Sequence, residues 1–293
     1  MITIGVYDSG IGGISILNVL REYVLEKLPD QQVRYVYLCD NLHYPYGTKR
    51  SEDLVSFVCE TVRKMLDLYK LDILVIACNT ASTVVLPYLR NMFKLPIVGV
   101  VPAIKPACAR SKTKHVCLIA TQATITRASL EELIQLYGNG CQILRIGSSL
   151  LVDIAERKFR SYPVDDSLIE QEIKPIFSDP LIDTVILGCT HFVHLKGEIT
   201  RILSKHPCKD IRVIDSSEGV SAHCLDLIKK IVVPKHSCDN SKDECGSSIK
   251  ESDFYIYNQD HKDNIFVFTK KDDMSMKLIS SHLDNKCCVS FLK

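Results

Sequence analysis

Two cysteines sit in matching local settings. "DILVIACNTA" (residues 72–81) and "DTVILGCTHF" (residues 183–192) each run from an aspartate through an apolar stretch to a thiol. Asp72 lies six positions before Cys78, and Asp183 six before Cys189. Each thiol is followed at once by side chains that can start a helix and hold a ligand: Asn79 and Thr80 after Cys78, Thr190 and His191 after Cys189. A helix N-terminus holds carboxylates and favours a thiolate. Two thiols facing one another across a cleft could exchange a proton with either face of a carbon acid, one acting as base while the other acts as acid.

Two further polar clusters follow apolar runs. Asp8-Ser9-Gly10 comes after "ITIGVY", and "YPYGTK" (residues 44–49) comes after "VYLCD". Taken singly, each cluster has an ordinary reading. Asp-Ser-Gly is a turn and helix cap, a strand-end cysteine is a small buried hydrophobe, and a single histidine is a satisfied core residue. "DSGIGG" resembles a phosphate loop, but it lacks both the G-x-G-x-x-G fingerprint and the lysine-serine pair of a P-loop. The recurrence of the thiols favours the joint, chemical reading.

Placing these clusters requires strands that end together. Short apolar runs alternate with amphipathic stretches: "ITIGVYD", "VRYVYLCD", "DILVIAC" and "PIVGVV" read as strands, with helices between them. The helix "TASTVVLPYLRNMF" is expected to bend or break near Pro87. The alternation then restarts with "KHVCLIAT", "CQILRIG", "DTVILGC" and "IRVID". The pattern predicts an α/β fold of two similar domains, each a mainly parallel sheet flanked by helices, with the active site in the cleft between them. In such sheets ligands bind beyond the carboxyl ends of the strands, where all four clusters fall.

The Pro-rich "GVVPAIKPAC" (residues 99–108) reads as the first crossing, and residues 207–211 as the second. The expected division is 1–98 plus 210–293 for the first domain and 99–209 for the second, with 235–252 a polar loop or insert. "FYIYNQDHKDNIFVFT" reads as a β-hairpin and "DDMSMKLISSHL" as a helix.

The gross features exclude several classes. With 36 basic and 35 acidic side chains the formal charge is +1, so no long-range field favours nucleic acid or an anionic membrane. No apolar stretch approaches the ~20 residues of a membrane span, no secretory leader is read, and a cytoplasmic protein is expected. Thirteen scattered cysteines in a chain of 293 residues read as reduced thiols, not as a disulfide framework. Cys189 with His191 is a weak zinc signal, and no metal site is expected.

"YDSGIGG", "YPYG.K", "ACNTA" and "GCTHF" occur in the same order and at similar spacing as in the cofactor-independent glutamate racemases, which this chain resembles from about residue 4 to about residue 220. The resemblance implies racemisation of glutamate without pyridoxal phosphate, D-glutamate for peptidoglycan as the product, and a homodimer. By it, Cys78 and Cys189 are the catalytic acid/bases for the D- and L-isomers respectively. Asp8 assists Cys78, while His191 and Glu156 assist Cys189. Asp8, Ser9, Tyr46, Gly47, Asn79, Thr80, Thr190 and His191 hold the amino acid, and Thr121 or Thr124 adds a carboxylate contact. Where the family commonly has Cys-Pro, this chain has Ser148-Ser149, so Glu156 is assigned from "LLVDIAE". The nearest rival is an aspartate racemase with the same thiol pair. A cysteine hydrolase built on Cys189 and His191 would leave Cys78 unexplained, and a binding protein would have no need of the intact set.

Overall fold

The computed structural model describes residues 1–208, 210–232, 255–259, 264–271 and 289–291. Its strands are β1 (Ile2–Asp8), β2 (Val33–Cys39), β3 (Ile73–Ile76), β4 (Ile97–Gly99), β5 (His115–Ala120), β6 (Gln142–Gly147), β7 (Thr184–Leu187), β8 (Arg212–Ile214), β9 (Tyr255–Gln259), β10 (Asn264–Phe268) and β11 (Val289–Phe291). The helices are α1 (Ile14–Lys27), α2 (Ser51–Leu68), α3 (Asn79–Met92), α4 (Ile104–Arg110), α5 (Gln122–Ile125), α6 (Ala128–Tyr137), α7 (Leu150–Phe159), α8 (Asp166–Ile173), α9 (Thr190–Val193), α10 (Lys196–Leu203) and α11 (Ser217–Val232).

The strands form two sheets. The first has the order β11-β9-β10-β2-β1-β3-β4, and the second β6-β5-β7-β8. All pairings in the second sheet are parallel, as are those among β1, β2, β3, β4 and β10. The innermost strands are mostly apolar and buried because helices cover both faces. β3 is wholly buried, and each such side chain contributes about 1.5–3 kcal/mol relative to exposure. The expected hairpin is β9–β10, an antiparallel pair that joins the first sheet through β10 and β2.

Two expectations need correction. The chain does not return to the first sheet at 207–211, because β8 pairs in parallel with β7 in the second sheet. The β7–helix–β8 connection is a crossover that lays its second strand beside its first. The return therefore follows Ile214, and α11 then packs Val220, Cys224, Leu225 and Ile228 into the core under β1. Nor does α3 break at Pro87, which lies inside a helix running to Met92. Its buried stripe of Ala81, Val85, Leu86 and Leu89 continues across the proline, so packing outweighs one lost backbone bond. The polar segment 235–252 and the helix read at 272–283 lie outside the described residues. Among the described residues no helix is long and apolar enough to cross a membrane.

Candidate active site

β1, β3 and β7 end at the same place, and that geometry assembles the site. Cys78 follows β3 and immediately precedes α3; Cys189 follows β7 and immediately precedes α9. Asp8 is the last residue of β1, beside β3 in register. Both thiols are buried, and a charge on Cys189 is felt at Cys78.

The loop between β1 and α1 lies against the second sheet's tips. Thr190 Oγ1 donates to Asp8 Oδ2 (3.4 Å), and Ser15 Oγ donates to the Thr190 carbonyl (3.4 Å). Gly12 shows why "DSGIGG" is glycine-rich. A Cβ there would stand 2.4 Å from Thr190 Oγ1 and 2.6 Å from His191 Nδ1. The glycines admit a close approach between the two halves, not a phosphate.

The two thiols have different partners. Ser9 Oγ lies 3.6 Å from Cys78 Sγ. Burial, then the Asp8 carboxylate, pushes the Cys78 thiol up to about 12, against the opposing pull of the Ala81 amide and Ser9. Asp8 is itself pushed up to about 6, chiefly by burial, although His191 and the Gly10 amide pull it down. The Gly10 N–H donates to Asp8 Oδ1 at 2.8 Å.

Cys189 Sγ lies 3.9 Å from His191 Nδ1, and His191 Nε2 lies 3.0 Å from Glu156 Oε1. Burial alone would lower the imidazole's affinity for a proton. The hydrogen bonds to Cys189 and Glu156, with their charges, outweigh it and hold His191 well above its ordinary range. As imidazolium, His191 donates from both nitrogens, one toward each partner. Glu156 reaches in from α7, whose start is fixed by the Leu151 N–H donating to Ser148 Oγ (3.0 Å). Ser148 thus has a definite job where the resemblance predicts Cys-Pro.

The remaining expected residues divide. Asn79, Thr80 and Thr190 are buried at the site, and Asn79 Oδ1 has no hydrogen-bond partner among the described residues. An orphaned buried acceptor suits a ligand ammonium or N–H. Thr121 caps α5, accepting the Thr124 N–H at 3.3 Å and lying 2.9 Å from Thr124 Oγ1. This short helix touches both α3 and the 3₁₀ turn at Tyr46–Thr48.

Tyr46 differs from the expectation in one respect. Its hydroxyl is buried against Asp40 and lies 2.5 Å from the Tyr7 hydroxyl, so its side chain anchors the turn. Only the turn's backbone is left to meet a ligand. Gly47 is exposed, with nothing within 4 Å of its Cβ direction.

Sequence reasoning missed three contributors. Asp40 is fully buried and binds Tyr7, Tyr46, His43 and Thr269. Its signal was available, because it ends the "VYLCD" run as Asp8 ends the first strand. The Tyr44 ring lies 6.1 Å from the His191 ring, and Tyr44 stood in the "YPYG" motif already. Arg127, which reaches α3, carried no sequence signal. A cavity of about 280 Å³ opens beside the site, lined by Gly10, Tyr44, Glu156, Arg160 and Lys270 among others. Among the described residues no group of three or more His, Cys, Asp or Glu has metal-holding geometry.

Residues 4–223 match the family model described as Asp/Glu/Hydantoin racemase. The chain belongs to this racemase family. It is 41% identical over 242 residues to a glutamate racemase of Glaesserella parasuis, covering 83% of this chain and 86% of the relative. It is 47% identical over 201 residues to a glutamate racemase of Haemophilus ducreyi, covering 69% of this chain and 74% of that one. Among solved structures, Escherichia coli glutamate racemase in complex with L-glutamate and the activator UDP-MurNAc-Ala superposes with a TM-score of 0.72. The identity is 38%, over 78% of this chain and 82% of that one.

Proposed function

We propose that this racemase interconverts L- and D-glutamate by passing the α-proton between Cys78 and Cys189, with no pyridoxal cofactor. One observation carries the reading: two buried thiols end equivalent strands of two sheets, meet in one site, and have opposite proton partners. The glutamate specificity of the named relatives supports the choice of substrate.

In the L-to-D direction Cys189, as thiolate beside the His191 imidazolium, removes the α-proton. Cys78, held as a thiol by burial and Asp8, delivers its proton to the opposite face. The bond to one hydrogen breaks as a bond to another forms, and the two sulfurs exchange protonation states. In the D-to-L direction the roles reverse, and Asp8 is placed to orient Cys78 or relay its proton. The α-proton of an amino acid is barely acidic, so fixed donors in a dry site must stabilise the developing negative charge. Asn79, Thr80, Thr190 and Ser9 are the buried polar groups available to hold the ammonium and carboxylates, with the Tyr46–Gly47 backbone and Thr121 or Thr124 on the facing side. The reading includes a homodimer acting in the cytoplasm, with D-glutamate passing to peptidoglycan. Sedimentation would test the dimer.

The experiment is proton NMR of L-glutamate in D2O with purified protein and thiol reductant, alongside chiral analysis. Loss of the α-proton signal with appearance of D-glutamate is expected. Exchange of aspartate but not glutamate would move the chain to the sister specificity, and exchange of neither would overturn the reading.

A further inference from the structure

The two halves meet on both sides of the site, by different means. On the Cys189 side, Thr190, Ser15 and the tight approach at Gly12 bind the tips together. On the Cys78 side α5 packs against α3 and the Tyr46–Thr48 turn, and one long side chain adds hydrogen bonds across the interface. Arg127 sits between α5 and α6 in the second half. Its Nε donates to the Ala123 carbonyl at 3.1 Å, which fixes the guanidinium on its own loop. Its Nη1 reaches back across the interface to Thr83 Oγ1 (3.2 Å) and the Thr80 carbonyl (3.5 Å). Thr83 Oγ1 donates to that same carbonyl at 3.0 Å. Both acceptors lie in the opening turns of α3, directly after Cys78.

We propose that Arg127 is a positioning residue for one half of the reaction: it ties the first turn of α3 to the second domain and so fixes Cys78 opposite Cys189. The inference rests on the two-thiol reading above. The physical case is geometric. Cys78, Asn79 and Thr80 are consecutive, so a shift of the Thr80 carbonyl moves the sulfur with it. A guanidinium held at Nε and donating through Nη1 fixes both distance and direction, which a flexible ammonium cannot do equally well. Half-burial between the domains strengthens these bonds over surface ones. Burial weakens Arg127's hold on its proton, while a charge on Cys78 would strengthen it. His191 meets the Cys189 sulfur directly from α9, whereas Arg127 acts on Cys78 through the backbone from across the interface.

The test exploits a constraint on racemases. The equilibrium constant between mirror-image isomers is one, so kcat/KM must fall equally in both directions whichever thiol is disturbed. The α-deuterium isotope effect is free of that constraint. Deuterated D-glutamate reports the step at Cys78, and deuterated L-glutamate the step at Cys189. Arg127→Met is expected to lower kcat/KM about 10–100-fold in both directions. Its isotope effect should rise with deuterated D-glutamate and fall with deuterated L-glutamate, because the Cys78 step alone has slowed. Arg127→Lys should recover part of the rate. Thr83→Val, which removes one acceptor and keeps the helix, should shift the isotope effects the same way by less. A general loosening of the fold would move both isotope effects together, and that result would overturn the proposal, as would rates within about twofold of wild type. Absence of α-proton exchange in the wild type would overturn the two-thiol reading and this inference with it. Normal exchange in the wild type, with isotope effects moving together in the variant, would overturn this inference alone.

Discussion

The two halves of the molecule are built on one plan. β2-β1-β3-β4 in the first sheet corresponds strand for strand to β6-β5-β7-β8 in the second. Each proposed catalytic thiol follows the third strand of its half. Each matching aspartate does the same structural work at the far end. Asp72 accepts the Thr3 N–H at 2.8 Å, and Asp183 accepts the Lys112 and Thr113 N–H groups at 2.7 and 3.1 Å, so both clamp the start of a neighbouring strand. The halves part company at the functional end. The second residue after the thiol is Thr80 in one and His191 in the other, and the first strand runs out at Asp8 in one and at Ala120–Thr121 in the other. A shared frame thus carries opposite proton chemistry: a carboxyl beside Cys78, an imidazolium beside Cys189. Two interacting thiols can share one proton in any case, and the unequal partners bias which sulfur of the resting protein holds it.

Removing either thiol is the hardest break of that comparison. Cys78→Ala and Cys189→Ala should each lower racemisation in both directions by about 10³-fold or more, measured by chiral analysis, because every turnover uses both. Retained racemisation in either variant would end the two-thiol scheme. His191→Asn should cost about 10²-fold in kcat/KM and raise the isotope effect with deuterated L-glutamate, the mirror of the result expected for Arg127. Gly12→Ala pushes a methyl into Thr190 and His191. It should lower kcat by about 10-fold or more and destabilise the fold by about 1–3 kcal/mol in chemical denaturation.

Asp8→Asn separates stability from activity. In the folded protein the Asp8 carboxyl titrates at about 6, against an ordinary value of 3.8. The folded state therefore holds this proton more tightly than the unfolded chain does. The resulting stability is fully present below pH 3.8 and is lost as pH rises through about 6. The amide carries no such penalty. Asp8→Asn should therefore unfold later than wild type above pH 6, by up to about 3 kcal/mol, with the advantage vanishing toward pH 4, while racemisation falls. A melting-temperature series across that range checks the sign, and equal melting temperatures at pH 7 would refute it. Gly47→Ala should be the mildest change, within about 0.5 kcal/mol of wild type in stability. Any rise in KM it causes would locate the substrate against the backbone of that turn.

Much of this was legible in the sequence because it is periodic or local. The strand–helix alternation, the strand-end placement of Cys78 and Cys189, and the helices that begin after each are all set by neighbours within a turn or two. What could not be read depends on contacts across the fold. The three residues of β8 had no pattern to say which sheet they would join, and their pairing with β7 decided it. The glycines at 10 and 12 looked like part of a phosphate loop because their reason, the nearness of Thr190, His191 and Glu156, lies more than 140 positions away in the chain. Tyr46 was found by its motif, but the engagement of its hydroxyl by Asp40 and Tyr7 had no local signal. Arg127 was invisible because a guanidinium on an amphipathic helix boundary looks like any solvated charge.

The Cys78 thiol bears on how the protein meets electrophiles. A sulfur that is buried and titrates near 12 offers almost no thiolate at neutral pH. General alkylating reagents should mark the half-exposed Cys141 and Cys208 long before it. A reactivity screen of the resting protein would then rank the proposed Cys78 acid/base among the inert sulfurs. Compounds that capture it would first have to occupy the site as the substrate does, and draw the proton away.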